Sequence, residues 1–191
     1  MELTGASEPG APSGWRLVRS LSLQRQIAVA TLSVTFTAVC FALFGFSGRA
    51  LVGAVFATVL ALLTAIDLEW RLLPNAIVLP ALVVVLLAQI ALNPDRTLEW
   101  VLASLGAALF FFVPMLVYPA GMGMGDVKLA ALLGAALGRA VVLAVAAGLL
   151  AVSAVAVVIL VREGLSARKK AIAFGPFLAF GGLLALFLGG R

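Results

Sequence analysis

Two carboxylates dominate the chemistry this chain can offer. Asp67 closes the charge-free run 50–66, and Asp126 follows Gly121, Gly123 and Gly125 and precedes Val127, Lys128 and Leu129. A carboxylate beside an apolar span is costly to desolvate unless something compensates, so each acid is a functional-site candidate. Two aspartates brought close together cannot both ionise easily. They share a proton, so that one is a general base toward water while the other is a general acid toward a carbonyl. Such a pair hydrolyses a peptide bond with no metal and no cofactor. The structural alternatives are local: Asp67 pairing with Arg71 at i+4, and Asp126 capping a helix that begins at Val127. The alternating glycines remove three side chains just before Asp126, offering a surface against which a substrate strand could lie. Their resemblance to a phosphate loop is loose, because the spacing and the following Lys-Ser/Thr are missing.

Other catalytic classes are removed by composition. The chain has no histidine and a single cysteine, Cys40, so neither a Cys/His zinc site nor a Ser-His-Asp triad can be assembled. Cys40 falls within an apolar window and reads as a packing residue.

The elements that must position the acids are membrane helices. Hydrophobic residues make up 64% of the 191, charged residues 11%, and the mean hydropathy is +1.22. The windows 27–48, 50–66, 76–94, 100–118, 140–161 and 171–190 contain no charged residue. Each approaches or reaches the roughly 17–25 residues that cross a bilayer as a helix. Val127–Leu137 is a shorter apolar piece whose only charge is Lys128. Arg16, Arg19 and Arg25 precede the first window, and Arg162, Arg168, Lys169 and Lys170 cluster before the last. Both segments face the cytoplasm under the positive-inside rule only if Val127–Leu137 also crosses. The expected fold is therefore an all-α polytopic bundle of about seven crossings. It places Asp67 and Asp126 at cytoplasmic helix ends, and Arg49 and 93–99 outside.

The net charge of +5 is accounted for by orientation signals and attraction to anionic headgroups, which leaves nucleic-acid binding without support. Residues 1–15 read as disordered and Trp15–Gln26 as a basic amphipathic surface helix, with Ile27–Phe46 an uncleaved span rather than a signal peptide. The expected organisation is a cytoplasmic segment 1–26, an extra transmembrane helix 27–48 and a catalytic membrane domain 49–191. Trp70 and Trp100 lie at span ends, where indoles favour the interface. Ala130, Gly134 and Gly138 have small-xxx-small spacing for close helix packing. Lys128 can tune the acids or orient substrate, or snorkel to headgroups; Arg71 can pair with Asp67 or anchor the helix. A small transporter whose acids carry protons or bind a cation is the competing class.

Three segments resemble type IV prepilin peptidases, membrane aspartyl proteases of the Gly-x-Gly-Asp class. They are Ala65–Asn75, with Asp67, Arg71, Pro74 and Asn75; Gly123–Leu129; and Ala173–Ala179, where the family usually has proline in place of Ala173. The resemblance covers roughly residues 50–189 in order. It implies that Asp67 and Asp126 are the catalytic pair, that Gly123 and Gly125 shape the loop presenting Asp126, and that no cofactor is needed. The implied substrate is a prepilin-like protein with a short basic leader before an apolar helix, cut at the cytoplasmic face of the plasma membrane. Long members of the family carry paired cysteines and an N-methyltransferase activity; this chain has no Cys-x-x-Cys, so peptidase activity alone is expected. The compact form looks more like the enzymes of tight-adherence (Flp) pili or the archaeal preflagellin peptidases. Presenilin-like and signal-peptide-peptidase-like proteases share Gly-x-Gly-Asp but pair it with a Tyr-Asp motif deep in a helix, whereas Asp67 follows Ile66.

Overall fold

The computed structural model describes residues 18–117, 123–163 and 173–189. Among these residues the α-helices with described bounds are α1 (Leu23–Phe44), α2 (Gly48–Trp70), α3 (Asn75–Leu92), α4 (Thr97–Val117), α5 (Met124–Leu137), α6 (Val141–Glu163) and α7 (Gly175–Gly189). Five stretches are long and apolar enough to cross a membrane, and the fifth, Met124–Arg162, runs through both α5 and α6. Gly138 breaks that stretch. Its φ of 56° ends α5, its N–H bonds the Gly134 carbonyl, and a 3-10 turn, Gly138–Ala140, leads into α6. The all-α polytopic bundle expected from the charge-free windows is the architecture observed.

Helix boundaries follow from local chemistry. Ser47 starts α2 by accepting the Ala50 N–H on its side chain. At the other end Arg71 adopts the left-handed conformation, φ 50°, and returns its N–H to the Asp67 carbonyl at 2.8 Å. Pro74 then caps α3, where its missing N–H costs nothing.

The core is built around α5. Every residue of Val127–Leu137 except Lys128 is buried. A Cβ on Gly134 would overlap the Ala103 carbonyl, so α4 and α5 touch backbone to backbone. Two neighbours also donate to α5 carbonyls: Ser104 Oγ to Ala131 at 2.9 Å, and Gln89 Nε2 to Ala136 at 2.7 Å. Buried donors in an apolar surround need such partners. Gly181 against the Ala144 carbonyl and Gly148 against Phe177 make a similar close seam between α6 and α7. By contrast, Cys40 is the buried residue of α1, whose other side chains face outward or are partly covered.

The bundle has two chemically distinct ends. Glu99 accepts from the Arg139 N–H at 3.2 Å and pairs with Arg96 at 2.7 Å, so the end of α5 lies beside the start of α4. The start of α5 therefore lies at the opposite end. At about 1.5 Å per residue its 14 residues rise about 21 Å, less than a full hydrocarbon core.

Several sequence expectations need correction. Helix α5 begins at Met124 with Gly123 as N-cap, so Asp126 sits in its first turn and does not cap a helix starting at Val127. Trp100 is only 5% exposed, packs beside Gly138 and lies 4.9 Å beneath the Arg96 guanidinium, so its ring is covered by protein rather than turned outward. Trp70 is half-buried against the core. The surface helix expected over Trp15–Gln26 ends by residue 20; Leu21 is buried, and Leu23–Gln26 already belong to α1. Residues 1–17, Gly121 and the basic residues Arg168, Lys169 and Lys170 lie outside the described residues.

The α4–α5 seam gives a direct stability test. Gly134→Leu must push backbone apart and should cost about 1–3 kcal/mol, the usual range for overpacking. Ser104→Ala removes one interhelical hydrogen bond and should cost about 0.6 kcal/mol, typical within membranes. Thermal unfolding in detergent should therefore rank Gly134→Leu well below Ser104→Ala; equal midpoints would contradict the seam.

Candidate functional site

Asp67 lies in the last turn of α2 and faces the start of α7, and Asp126 lies in the first turn of α5. The Gly175 N–H donates to Asp67 Oδ2 at 3.0 Å. That contact needs glycine, because a Cβ at position 175 would stand 2.7 Å from the same oxygen. Helix α7 thus presents an N-terminal main-chain donor, and the partial positive charge of a helix start, to a carboxylate from α2. Asp67 is 6% exposed. Asp126 is half-buried, near enough to Asp67 for their charges to interact, and has the Gly123 backbone as its hydrogen-bond partner.

Glycines flank Asp126 for different reasons. Gly125 fits against Leu73, whose Cβ would be 2.8 Å from an added Cβ. This presses the first turn of α5 onto the α2–α3 connection. Gly123 is exposed, and a Cβ there would meet only Gly125 and Asp126, at 3.8 Å, so it keeps the approach to Asp126 open. Lys128, two residues after Asp126, donates to Asn75 Oδ1 at 2.7 Å and ties α5 to the first residue of α3. Phe174 stacks edge-on with Phe111 at 5.7 Å, fixing the segment that delivers Gly175 against α4.

Of the sequence candidates, Asp67, Asp126, Gly123, Gly125 and Lys128 gather around this end of the bundle. Arg71 contributes through its backbone turn. The ion pairs among the described residues are Arg25–Glu69, Arg96–Glu99 and Arg139–Glu99, and none joins Arg71 to Asp67. The Arg25–Glu69 pair, at 3.0 Å, links the start of α1 to the same end of α2. Gly175, Leu73 and Phe174 had no assigned role in the sequence. The Ala173–Ala179 signature marked the place, but a main-chain N–H aimed at a carboxylate leaves no side-chain trace. No group of three or more metal-ligating side chains forms among the described residues.

Fold and site together define a multi-pass α-helical membrane protein that collects two carboxylates and a helix N-terminus at one end of its bundle. The chain belongs to the type IV leader peptidase family, whose model matches residues 54–189. It is 34% identical over 158 residues to prepilin leader peptidase/N-methyltransferase of Burkholderia pseudomallei strain 1026b, covering 78% of this chain and 50% of that protein. To the protein of the same name from Bacillus subtilis strain 168 it is 30% identical over 149 residues, covering 76% of this chain and 59% of the relative. The chain thus spans about half the length of the B. pseudomallei relative. No solved structure matches. The matched residues contain Asp67, Asp126 and Gly175, and exclude α1.

The Gly125–Leu73 contact predicts non-additivity. Gly125→Ala should lower the unfolding midpoint in detergent, and Leu73→Gly, which removes the opposing Cβ, should recover part of that loss in the double variant. Strict additivity of the two changes would mean that the contact does not constrain α5.

Proposed function

We propose that this chain is an aspartyl endopeptidase that removes the short basic leader of prepilin-like proteins, with Asp67 and Asp126 as the catalytic pair. The observation that carries the reading is that Asp67, held by the N-terminus of α7, lies near enough to the sequence-distant Asp126 for their charges to interact. Water held between them loses a proton to the ionised member and attacks the scissile carbonyl carbon. The protonated member donates to the carbonyl oxygen as the tetrahedral intermediate forms. Collapse of that intermediate breaks the C–N bond, and a proton passes to the departing amine. Gly175 positions Asp67 through its N–H, and Gly123 keeps the approach clear of side chains. Lys128 and Asn75 form a polar edge beside the acids, suited to orienting the polypeptide entering the site.

The active face is assigned to the cytoplasm because Arg19 and Arg25 stand at the site's end of the bundle, as does Arg162 in the last turn of α6. The membrane is then the plasma membrane. A pilus of the tight-adherence (Flp) type is the favoured destination of the product, since the chain resembles the compact peptidases of that system. With one cysteine, these 191 residues hold no Cys-x-x-Cys pair, and leader cleavage is the activity their acids support.

Co-expression with a prepilin-like protein tests the assignment. Asp67→Asn and Asp126→Asn should each slow leader removal by about 10²–10⁴-fold or more while the chain still folds and inserts, the usual loss for an acid–base group. Cleavage that survives either change sinks the dyad. Gly175→Ala displaces one carboxylate rather than deleting it, so a loss of up to about 10²-fold in rate is expected, comparable to small misplacements in other sites.

The pH profile has a defined sign. Catalysis needs one ionised and one protonated member. The rate should therefore fall at low pH, where both are protonated, and at high pH, where both are ionised. A rate flat across the pair's titration would count against a shared proton.

A further inference from the structure

A second polar constellation lies at the end of the bundle remote from the acids. The end of α1, the start of α2, and the ends of α3, α5 and α7 surround a cavity of about 190 Å³. Its wall is apolar, with Phe56 and Leu186 from α2 and α7, and Arg49 and Arg96 also line it. No acidic residue lines it. Arg96 is already engaged by Glu99 at 2.7 Å, whereas Arg49 makes no ion pair with a carboxylate among the described residues. Trp100 and Gln89, both at most 9% exposed, complete the polar lining. Gln89 Nε2 is spent on the Ala136 carbonyl, but the Trp100 indole N–H is buried without an acceptor. With that nitrogen closed off, the donors the cavity offers an occupant are the two guanidinium groups.

We propose that this cavity holds the phosphate group of a membrane phospholipid, with its oxygens on Arg49 and Arg96 and its hydrocarbon against the Phe56–Leu186 wall. Guanidinium groups suit phosphate because their N–H donors match its oxygens in pairs. The position fits a lipid, since the cavity opens where the helices end and headgroups lie. Four helix C-termini also meet here, those of α1, α3, α5 and α7. Their carbonyls disfavour an anion deep in the cavity, which places the phosphate at the arginine-bearing rim and the acyl chain inward. Nothing in this proposal depends on Asp67 or Asp126, so lipid retention and leader cleavage are separate readouts.

Native mass spectrometry of the purified full chain in detergent provides the test. The probes are dioleoyl phosphatidylglycerol, dioleoylglycerol with the same chains and no phosphate, and inorganic phosphate. Phosphatidylglycerol should be retained as a discrete adduct, and dioleoylglycerol about tenfold less, the discrimination expected of charge-assisted hydrogen bonds. Arg49→Gln should reduce phosphatidylglycerol retention to a similar extent with an unchanged unfolding midpoint. Leu186→Trp, which fills the cavity while leaving both arginines, should exclude the lipid as well. Displacement of the lipid by inorganic phosphate would uphold the phosphate subsite and make a free anion its occupant. Equal retention of the two lipids, or retention unchanged in both variants, would overturn the proposal.

Discussion

The backbone-to-backbone approach of α4 and α5 is the contact on which the rest of the structure depends. A 14-residue helix cannot be held in a bilayer by hydrocarbon length alone, and its polar first turn would favour sliding toward water. Gly134 against the Ala103 carbonyl fixes its depth, and hydrogen bonds from Ser104 and Gln89 to its carbonyls fix its rotation. With depth and rotation set, Asp126 has one place to be. Lys128 is thereby directed to Asn75, the sole break in an otherwise buried run.

The second acid is positioned differently. Asp67 is carried on a long helix that could tilt, but its neighbours restrict it at two atoms: the Arg71 N–H holds its main-chain carbonyl and the Gly175 N–H holds its side chain. Both donors are main-chain groups. Neither adds a long side chain that would have to be ordered, and side-chain ordering is a large part of what a Lys or Arg contact costs. The left-handed turn at Arg71 also reverses the chain immediately after the acid. The Leu73 side chain then meets Gly125, so the same connection that ends α2 steers the start of α5.

How far the sequence could be read depends on whether side-chain identity or backbone proximity carried the information. Charge-free windows located the helices because a span must exclude charge, and the lone acids stood out against that background. Gly134 was legible as a packing glycine because small-residue spacing has a physical meaning between membrane helices. The beginning of α5 was not, since an apolar pattern starts at Val127 whereas the helix starts at Met124, where glycine and aspartate are tolerated in a first turn. Trp100 misled for a related reason: span-end position predicts an interfacial indole, but the kink at Gly138 brings a second helix end over it. The Gly175 contact was invisible in principle, being a main-chain N–H whose partner lies 108 residues away.

Helix α1 shows what the bundle does not require for this arrangement. Cys40 is its buried residue, Gly53 approaching the Cys40 sulfur is its closest glycine contact with α2, and the region matched to the family begins after it. The Arg25–Glu69 pair at the site's end has side chains 40% and 26% exposed. An ion pair that open to solvent contributes about 0–1 kcal/mol, too little to dock a helix. The 22 residues of α1 are apolar enough to stay in the bilayer, and their packing along α2, with Gly53 close to the Cys40 sulfur, keeps them beside it. What the pair can do is orient the helix. It brings a basic residue to the rim next to Asp67, two residues before Glu69. An Arg already neutralised by Glu69 puts less positive charge at that rim than a bare one would. The same bridge therefore orients α1 and moderates the charge beside the acids without docking the helix by itself.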